Sequence, residues 1–546
     1  MRLLRQGSGQ VLRQGSALAL AVLFALPALA QEAGPRSSRA QSGDELATQP
    51  ESEDAGFGLS TPDPAAPESE PVVVVQEPTP EPETPFLHRV EANGYLSLRG
   101  GFTRVKVHGL IPTDDQPQLT GLAELNGQLK VSFRERSFVY ADVSLIAQGA
   151  GNFRTLDKDG NERFLADHDT PANRPLVSIN ELYALHEFIP ELNLLVGKKR
   201  LVWGSGQAYN PTDLLNIRKD PTDPTFQRAG AWMARLEVPL ETLTFTAVFA
   251  PTVLKQSNGL PQQLLIWPGW DQKDTELHYV AALRAYALIS DADVNLMLFH
   301  SNLAGDSFKN KLRFGASFSR YFFTDYELHT EFLIQTGSSR DYLNSDCLKS
   351  TTAALACNSK GTSFVSKSKL DDGSFFPKVL VGSRRQFDDE SFLSVEYLYQ
   401  ADGYSQAQFQ DQVNAFDLIL QAKALGVPAN RLPNLSPSAS TDGVPQRLAF
   451  DPVGQHYAFL TYSKPRIFDD FTAQLVTIVN LQDFSTIWTP SLTWATTDWL
   501  TLSAIGFIPI QGPDALAAKA STGNFYTEYS NLPLQYRVLL EARVFY

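Results

Sequence analysis

The sequence predicts an all-β fold: a transmembrane antiparallel β-barrel of about 18 strands with long external loops and a disordered N-terminal tether. Three features of the 546 residues support this prediction. The N-terminus has the pattern of an export signal, the C-terminus alternates between apolar and charged residues, and short polar turns alternate with long polar connections. The formal net charge of −14 argues against a nucleic-acid partner, and the 2 Cys argue against a disulfide-rich scaffold.

The first 30 residues have the composition of a secretory signal peptide. Three Arg residues precede an apolar run at 17–29, and Ala28 and Ala30 occupy the −3 and −1 positions of a cleavage site. An apolar run of this length is too short to span a bilayer as a helix. We therefore expect residues 1–30 to be removed on export.

Residues 31–87 differ sharply in composition from the rest of the chain. They are rich in Pro and in acidic residues. Pro restricts the backbone and like charges repel one another, so this segment is predicted to be an extended, disordered periplasmic tether. Val72–Val75 offer an apolar contact for a periplasmic export partner or for peptidoglycan, and a solvated leader without a partner is the alternative. The barrel is then expected to occupy residues 88–546.

The end of the chain predicts a strand with one apolar face. That face comprises Leu534, Tyr536, Val538, Leu540, Ala542, Val544 and Tyr546. This pattern resembles the closing strand of Gram-negative outer-membrane barrels. The resemblance implies that Tyr546, Val544 and Leu540 form an assembly signal for the barrel-assembly machinery. An edge strand of a soluble sandwich is the alternative.

The spacing of turns predicts the number of strands. Short polar turns lie at Arg134–Ser137, Ile189–Leu192, Pro239–Thr242, Ser290–Asp293, Phe323–Asp325, Phe387–Glu390, Phe468–Asp470 and Thr496–Asp498. Longer connections lie near 107–120, 149–175, 204–227, 252–274, 338–373, 403–453 and 511–532, with two shorter ones near 303–308 and 482–485. These hairpins, a first strand near 93–106 and the closing strand together give about 18 strands, and an even number places both termini on the periplasmic side.

Charged residues opposite the apolar stripes are predicted to face a hydrated lumen. An ionised side chain at the lipid-facing midplane would cost about 2–4 kcal/mol. The pore-lining candidates are Lys130, Arg134, Arg235, Arg284, Lys311, Arg313, Lys378, Arg384, Arg537, Arg543, Glu181 and Glu541. Further acids, among them Glu327, Glu331 and Glu396, share the inward faces. The basic excess is slight and favours anionic solutes only weakly, and ion pairs that brace neighbouring strands are an equally good explanation.

The third long connection follows a distinctive hairpin. Asn180-Glu181-Leu182-Tyr183 leads through a turn to Val196-Gly197-Lys198-Lys199-Arg200, and then to the constriction-loop candidates Trp203, Gly204, Gly206, Asn210, Pro211 and Asp213. This hairpin resembles one found in porin-like outer-membrane families, including alginate-export-type barrels, with Lys198-Lys199 where those families carry Arg-Gln. The resemblance is close over about fifty residues and implies a loop that enters the pore, and a rigid outward cap is the alternative.

Two other connections carry structural predictions. Cys347 and Cys357 share one external loop and should form a disulfide in an oxidising compartment. Residues Gln406–Leu425 have apolar positions at helical spacing, which predicts a short amphipathic helix over the barrel mouth. The scattered His residues lack metal-ligand spacing, and no catalytic motif is present, so we expect no metal, no cofactor and no enzymatic activity.

These observations and the resemblance together predict an outer-membrane channel. It would serve the passive passage or export of hydrophilic solutes, including anionic polysaccharide, in contact with outer-membrane lipid and lipopolysaccharide. The alternative is a non-conducting barrel that anchors an envelope complex or displays surface loops. Single-channel conductance would distinguish the two.

Overall fold

The structure is a computed structural model in which most of the chain after residue 88 is described. The described residues are 89–105, 119–134, 136–151, 155–156, 162–163, 176–215, 230–251, 279–301, 311–337, 343–348, 352–353, 356–357, 360, 374–411, 413–414, 453–512, 527–529 and 534–546. The predicted signal peptide at 1–30 and the predicted tether at 31–87 lie outside them. No helix among these residues is both long enough and apolar enough to cross a membrane.

The described chain is built almost entirely from strands. They are β1 (Arg89–Val105), β2 (Leu119–Arg134), β3 (Ser137–Gly151), β4 (Thr155–Leu156), β5 (Glu162–Arg163), β6 (Leu176–Ile189), β7 (Leu192–Lys199), β8 (Ala231–Pro239), β9 (Leu243–Pro251), β10 (Tyr279–Ile289), β11 (Ala292–Ser301), β12 (Lys311–Phe322), β13 (Tyr326–Thr336), β14 (Phe375–Gln386), β15 (Phe392–Gln400), β16 (His456–Ile467), β17 (Phe471–Asn480), β18 (Thr486–Thr497), β19 (Leu500–Ile510) and β20 (Leu534–Phe545). A short helix, Ser345–Leu348, follows β13.

Eighteen of these strands form one closed antiparallel barrel, which confirms the predicted fold class and strand count. Each barrel strand pairs with the next barrel strand along the chain, while β4 and β5 form a separate two-stranded hairpin. β20 pairs with β1 from Tyr95↔Phe545 to Val105↔Leu534 and closes the barrel. Closure satisfies the backbone hydrogen-bonding groups at what would otherwise be two sheet edges. β1 begins at Arg89, earlier than predicted, because its pairing with β2 extends back to Ser132.

Alternate residues of each strand face the lumen and the outside. On β13, Glu327 and His329 are buried at 7% and 0% exposure, while Leu328 and Tyr326 between and before them are exposed. The exposed positions are apolar and the buried ones include many polar groups, which is the reverse of a soluble sheet. This arrangement fits a barrel whose outer face contacts lipid.

The two ends of the barrel differ in their connections. Short turns join β2 to β3, β6 to β7, β8 to β9, β10 to β11, β12 to β13, β14 to β15, β16 to β17 and β18 to β19, at the eight predicted places. We call this end the short-turn rim and the opposite end the long-loop rim. The chain enters at Arg89 and ends at Tyr546 on the short-turn rim, since Tyr95 pairs with Phe545 and Arg89 with Ser132.

Candidate functional site in the barrel lumen

After β7 the chain leaves the barrel wall and enters the lumen. We call residues 200–215 the strap. Gly204 has a φ of 119°, a conformation that residues with a side chain rarely adopt, so glycine permits the sharp departure of the backbone there. Trp203 is 1% exposed and packs on Phe299, an inward residue of β11, with ring centres 5.6 Å apart. The strap therefore lies against the inner surface of the wall.

Apolar packing holds the strap to two separate arcs of the wall. Leu201, Trp203 and Leu215 pack with inward residues of β6–β11: Tyr183, Leu195, Met233, Val248, Ala250, Val280, Ala282, Met297 and Phe299. Ala208 and Tyr209 pack with inward residues of β14–β19: Leu380, Leu398, Tyr457, Phe459, Ile478, Ile487 and Phe507. The Tyr209 and Phe459 rings are parallel within 2°, with centres 6.4 Å apart. The strap thus spans the lumen between these two arcs.

Two buried carboxylates bind the middle of the strap. Glu331 on β13 accepts the Gly206 N–H at 2.6 Å, and its second oxygen accepts the Thr212 N–H at 3.1 Å and the Thr212 hydroxyl at 2.7 Å. Glu396 on β15 accepts the N–H groups of residues 207 and 208 at 2.5 and 2.8 Å. Glu331 and Glu396 are 0% and 2% exposed, so these bonds form away from bulk water. Hydrogen bonds to a charged acceptor are among the stronger ones in proteins.

A histidine bridges from β13 to Glu396 across the intervening strand. His329 Nε2 lies 2.9 Å from Glu396 Oε1, and His329 Nδ1 lies 3.5 Å from Glu327. The register places Gly382 of β14 directly between His329 and Glu396. A Cβ atom on Gly382 would overlap the His329 ring, so glycine at this position makes the contact possible. The cluster orients Glu396 toward the strap.

A different part of the lumen wall carries charged side chains that solvent reaches. On β1 and β20, Arg99 lies 3.5 Å and Arg543 2.9 Å from Glu541, and the two arginine side chains are 19% and 21% exposed. Lys130 on β2 lies 3.7 Å from Glu91, and their side chains are 31% and 40% exposed. These inward cations and anions therefore lie on a solvent-accessible part of the lumen wall along β20, β1 and β2.

Several predicted lining residues face inward but are buried. Arg313 is 7% exposed and donates to Ser301 at 3.2 Å, and Lys378 is 6% exposed and lies 3.3 Å from Asp402. Other side chains cover this part of the inner wall, so these two cations stabilise contacts within the protein and do not face water. Glu181 is 8% exposed and accepts the Arg200 N–H at 2.7 Å at the start of the strap.

The remaining predicted lining residues are half-buried, and each has a partner on its own strand or on a neighbouring strand. Arg235 lies 3.7 Å from Glu237, Arg284 donates to Asn295 at 2.7 Å, and the Arg384 and Arg537 guanidinium groups lie 4.3 Å and 5.2 Å from the ring centres of Phe392 and Phe507. The side chains of Arg134 and Lys311 lie outside the described residues.

Among the strap candidates, Trp203, Gly204, Gly206, Asn210, Pro211 and Asp213 all lie in the lumen segment. Asp213 N donates to the Asn210 carbonyl at 3.2 Å, which forms a turn. Pro211 and Asp213 are buried. Residues 216–229 of the same connection lie outside the described residues.

A second buried cluster ties three connections together at the long-loop rim. Glu528 accepts from the Tyr457 hydroxyl at 2.6 Å and from Asn480 Nδ2 at 2.5 Å, while its own N–H donates to Asp483 at 2.6 Å. Val453 N also donates to Glu528, at 3.3 Å. Burial, followed by the nearby Asp483 carboxylate, raises the pKa of Glu528 to about 8. Glu528 is therefore largely protonated at neutral pH.

The structure joins Cys347 and Cys357 in a disulfide within the connection after β13. Ser345, in the helix that contains Cys347, donates to Asp411 at 2.6 Å. Residues 406–411 and 413–414 are helical, and the rest of the predicted Gln406–Leu425 helix lies outside the described residues. The two connections therefore contact each other on the side of the long-loop rim.

The C-terminal residue closes the seam between the first and last strands. Tyr546 N donates to the Gly94 carbonyl at 3.0 Å and its hydroxyl donates to the Asn126 carbonyl on β2 at 2.6 Å. A Cβ atom on Gly94 would lie 2.5 Å from the Tyr546 ring, so the ring rests directly on the glycine. Leu540 is 59% exposed and faces outward, as the predicted apolar face requires.

A serine–histidine contact lies near the short-turn rim. Ser137 Oγ is 3.0 Å from His186 Nδ1, and it also accepts the Glu187 N–H at 3.3 Å. Ser137 is 6% exposed, which leaves little room for a substrate at its hydroxyl. The contact ties β3 to β6. Among the described residues, no group of three or more His, Cys, Asp or Glu is arranged to hold a metal ion.

Sequence reasoning placed Glu327, Glu331 and Glu396 on inward faces but assigned them no role in holding the strap. The alternation Glu327-x-His329-x-Glu331 was the available signal, because three ionisable groups on one face of a strand indicate a polar cluster. His329 and Gly382 were not identified.

Comparison with known proteins finds likeness at the level of solved structures. No family model and no curated protein matches the chain. OccAB1 of Acinetobacter baumannii is 9% identical, with 83% of this chain and 96% of that chain covered and a TM-score of 0.43. OccK3 (OpdO) of Pseudomonas aeruginosa is 10% identical (84% and 96% covered, TM-score 0.41), and OprB of Pseudomonas putida is 9% identical (84% and 94% covered, TM-score 0.37). Likeness this remote assigns no function to this chain.

Proposed function

We propose that this chain is an outer-membrane channel for hydrophilic solutes, with the short-turn rim and both termini in the periplasm. The observation that carries the proposal is the contrast between the two faces of the barrel. Leu283, Leu312 and Leu540 are 56%, 53% and 59% exposed on the outside, whereas Arg99, Arg543 and Lys130 are partly exposed inside. An apolar exterior suits lipid and a charged, solvent-reached interior suits water.

In this proposal the strap is the constriction. It occupies the side of the lumen bounded by β6–β11 and β14–β19, and solutes pass along the charged wall of β20, β1 and β2. The backbone bonds to Glu331 and Glu396 hold the strap in place and so set the width of the path. Fixed loops of this kind determine which solutes a wide barrel admits.

The finer proposal concerns charge: the channel prefers anions, and acidic polysaccharide is among its substrates. Support comes from the partly exposed cations Arg99, Arg543 and Lys130 on this wall. Fixed charge on a pore wall raises the local concentration of the opposite ion. Neutralising Arg543 with Gln should therefore lower the anion-to-cation permeability ratio.

A non-conducting barrel that anchors an envelope complex is the second candidate. One specific observation favours it, namely the extent of apolar packing inside the barrel, where strap residues Trp203 and Tyr209 are 1% and 8% exposed. Packing this extensive is typical of a protein interior rather than of an open pore. The same feature means that deleting the strap would expose apolar wall residues to water, so point substitutions test its role better than deletion.

The test is reversal-potential measurement in planar bilayers under a KCl gradient. The matched variants are Arg543→Gln, which alters a solvent-reached cation, and Arg313→Gln, which alters an inward but buried one. The channel proposal expects steady conductance steps, with selectivity lowered by Arg543→Gln and unchanged by Arg313→Gln. Silent bilayers with heat-modifiable, correctly folded protein would favour the anchor, and equal selectivity in all three proteins would contradict the charge proposal.

A further inference from the structure

Two phenylalanines at the short-turn rim are almost completely exposed. Phe323, in the turn between β12 and β13, is 90% exposed, and Phe468, in the turn between β16 and β17, is 88% exposed. Their φ angles are 54° and 50°, and the following residues Thr324 and Asp469 have φ angles of 67° and 68°. Both turns therefore place a bulky aromatic residue in the left-handed region.

Phenylalanine at these two turn positions is unfavourable for the stability of the folded chain. Two-residue hairpin turns with positive φ are normally made by Asn, Asp or Gly, because a bulky side chain is strained in that conformation. At 90% and 88% exposure, Phe323 and Phe468 gain almost no packing within the chain that could offset the strain. An unfavourable conformation at an exposed site points to a role outside the fold.

The position of the two turns indicates what surrounds them. Phe322 pairs with Tyr326 on the outward face next to Phe323, and Phe471 stacks on Trp494 at 5.3 Å near Phe468. Outward aromatic residues of this kind mark the boundary between hydrocarbon and headgroups. A residue one position beyond this boundary lies about 3.3 Å further from the hydrocarbon, which is less than the headgroup layer's thickness of about 5–7 Å. The two turn tips therefore fall within the headgroup layer.

Cations near the Phe323 tip match the chemistry of that layer. The Arg320 guanidinium lies 5.2 Å from the Phe322 ring centre, and the Arg385 guanidinium lies 5.2 Å from that of Phe387. Arg385 is also held by Asp325 at 3.7 Å, with its side chain still 59% exposed. Guanidinium groups next to aromatic rings can bind phosphate while the rings contact glycerol and acyl carbons.

We propose that Phe323 and Phe468 contact the phospholipid headgroups of the leaflet on the short-turn side, and that Arg320 and Arg385, near Phe323, bind their phosphate groups. This inference rests on the membrane location in the proposed function. It adds a specific lipid contact that the channel activity does not require.

Site-directed spin labelling tests the surface directly. Both cysteines of the chain form the disulfide, so a single introduced Cys gives a unique label. The variants are Phe323→Cys and Phe468→Cys, and the control is Ala407→Cys, at an exposed position in the connection after β15 at the opposite rim. Each is reconstituted in vesicles of phosphatidylethanolamine and phosphatidylglycerol, and its accessibility to oxygen and to a water-soluble nickel chelate is measured.

Labels at 323 and 468 should favour oxygen over the nickel chelate by several-fold relative to the label at 407. Labels at 323 and 468 that are as open to nickel as the label at 407 would overturn the inference and would suit a soluble periplasmic partner instead. Heat-modifiability of the same samples separates the two proposals: an inserted barrel with aqueous tips refutes the lipid surface alone, whereas a barrel that does not insert refutes both.

A second measurement tests the cations. Purified wild type should retain several-fold more phosphatidylglycerol after detergent washing than the Arg320→Gln/Arg385→Gln double variant. Arg136→Gln is the matched control, because Arg136 also lies at the short-turn rim, with its side chain 60% exposed. Equal retention by the double variant and wild type would contradict phosphate binding by these guanidinium groups.

Discussion

Removing the Glu331 carboxylate should release the middle of the strap. In Glu331→Ala the N–H groups of Gly206 and Thr212 lose their acceptor inside the lumen. Each buried donor left without a partner costs about 1–3 kcal/mol, so the docked state of the strap should lose about 2–6 kcal/mol. Every 1.4 kcal/mol is a factor of ten in an equilibrium constant, so the undocked population should rise by at least about an order of magnitude.

Single-channel recording is the assay for this variant. Because the apolar clusters still hold both ends of the strap, we expect a folded protein that fluctuates among additional, higher conductance levels. Thr212→Val, which removes only the hydroxyl donor at 2.7 Å, should give a smaller effect. Glu237→Gln is the control, since this inward glutamate of β8 lies 3.7 Å from Arg235 on its own strand and belongs to neither carboxylate site that binds the strap. Conductance records for Glu331→Ala that match wild type would show that the carboxylate does not hold the strap.

Further predictions follow from the same geometry. Gly382→Val should break the contact of His329 with Glu396 and lower the thermal midpoint of unfolding, because a Cβ atom there overlaps the imidazole. The pKa of Glu528 is raised to about 8 from an ordinary 4.5, and the stabilisation from this shift is complete below about pH 4.5 and is lost as the pH rises through 8. The thermal midpoint of unfolding should therefore fall between pH 5 and 9 in wild type, and it should fall by a smaller amount in Glu528→Gln. Tyr546→Ala should slow barrel assembly in a heat-modifiability time course, since the ring and hydroxyl span the closing seam; an unchanged rate would contradict that role. Leu540→Arg, at an outward position 59% exposed, should cost about 2–4 kcal/mol near the bilayer midplane and block insertion.

The fold was predictable because its signals are local. Turn residues such as Pro239 and Asp325 separate segments in which apolar and polar residues alternate, so the turns can be located from the sequence alone. The closing strand carries its own pattern from Leu534 to Tyr546. Each of these signals spans only a few residues, so the strand count needs no knowledge of distant contacts.

The candidate site was only partly predictable because its contacts are distant in sequence. Thr212 and Glu331 are 119 residues apart, and Ala208 and Glu396 are 188 residues apart. Pattern reasoning placed both glutamates on inward faces, but nothing local distinguishes a carboxylate that binds a loop from one that faces water. Gly382 has the same limitation, since its importance depends on His329 in the neighbouring strand.

The same limitation applies to the lining residues. Arg313 and Arg543 both face inward by alternation, yet the first is 7% exposed and the second has a side chain 21% exposed. The difference depends on which part of the wall is covered by packing inside the lumen. That information lies in the tertiary packing rather than in the strand pattern.

The central claim is that a hydrated path runs beside the strap through a closed barrel. Planar-bilayer recording of the purified, heat-modifiable wild-type protein tests it most directly. We expect discrete, ohmic conductance steps that are smaller than those of the Glu331→Ala variant. Bilayers that stay silent with both proteins, although each is inserted and folded, would contradict the channel and leave the barrel as an anchor.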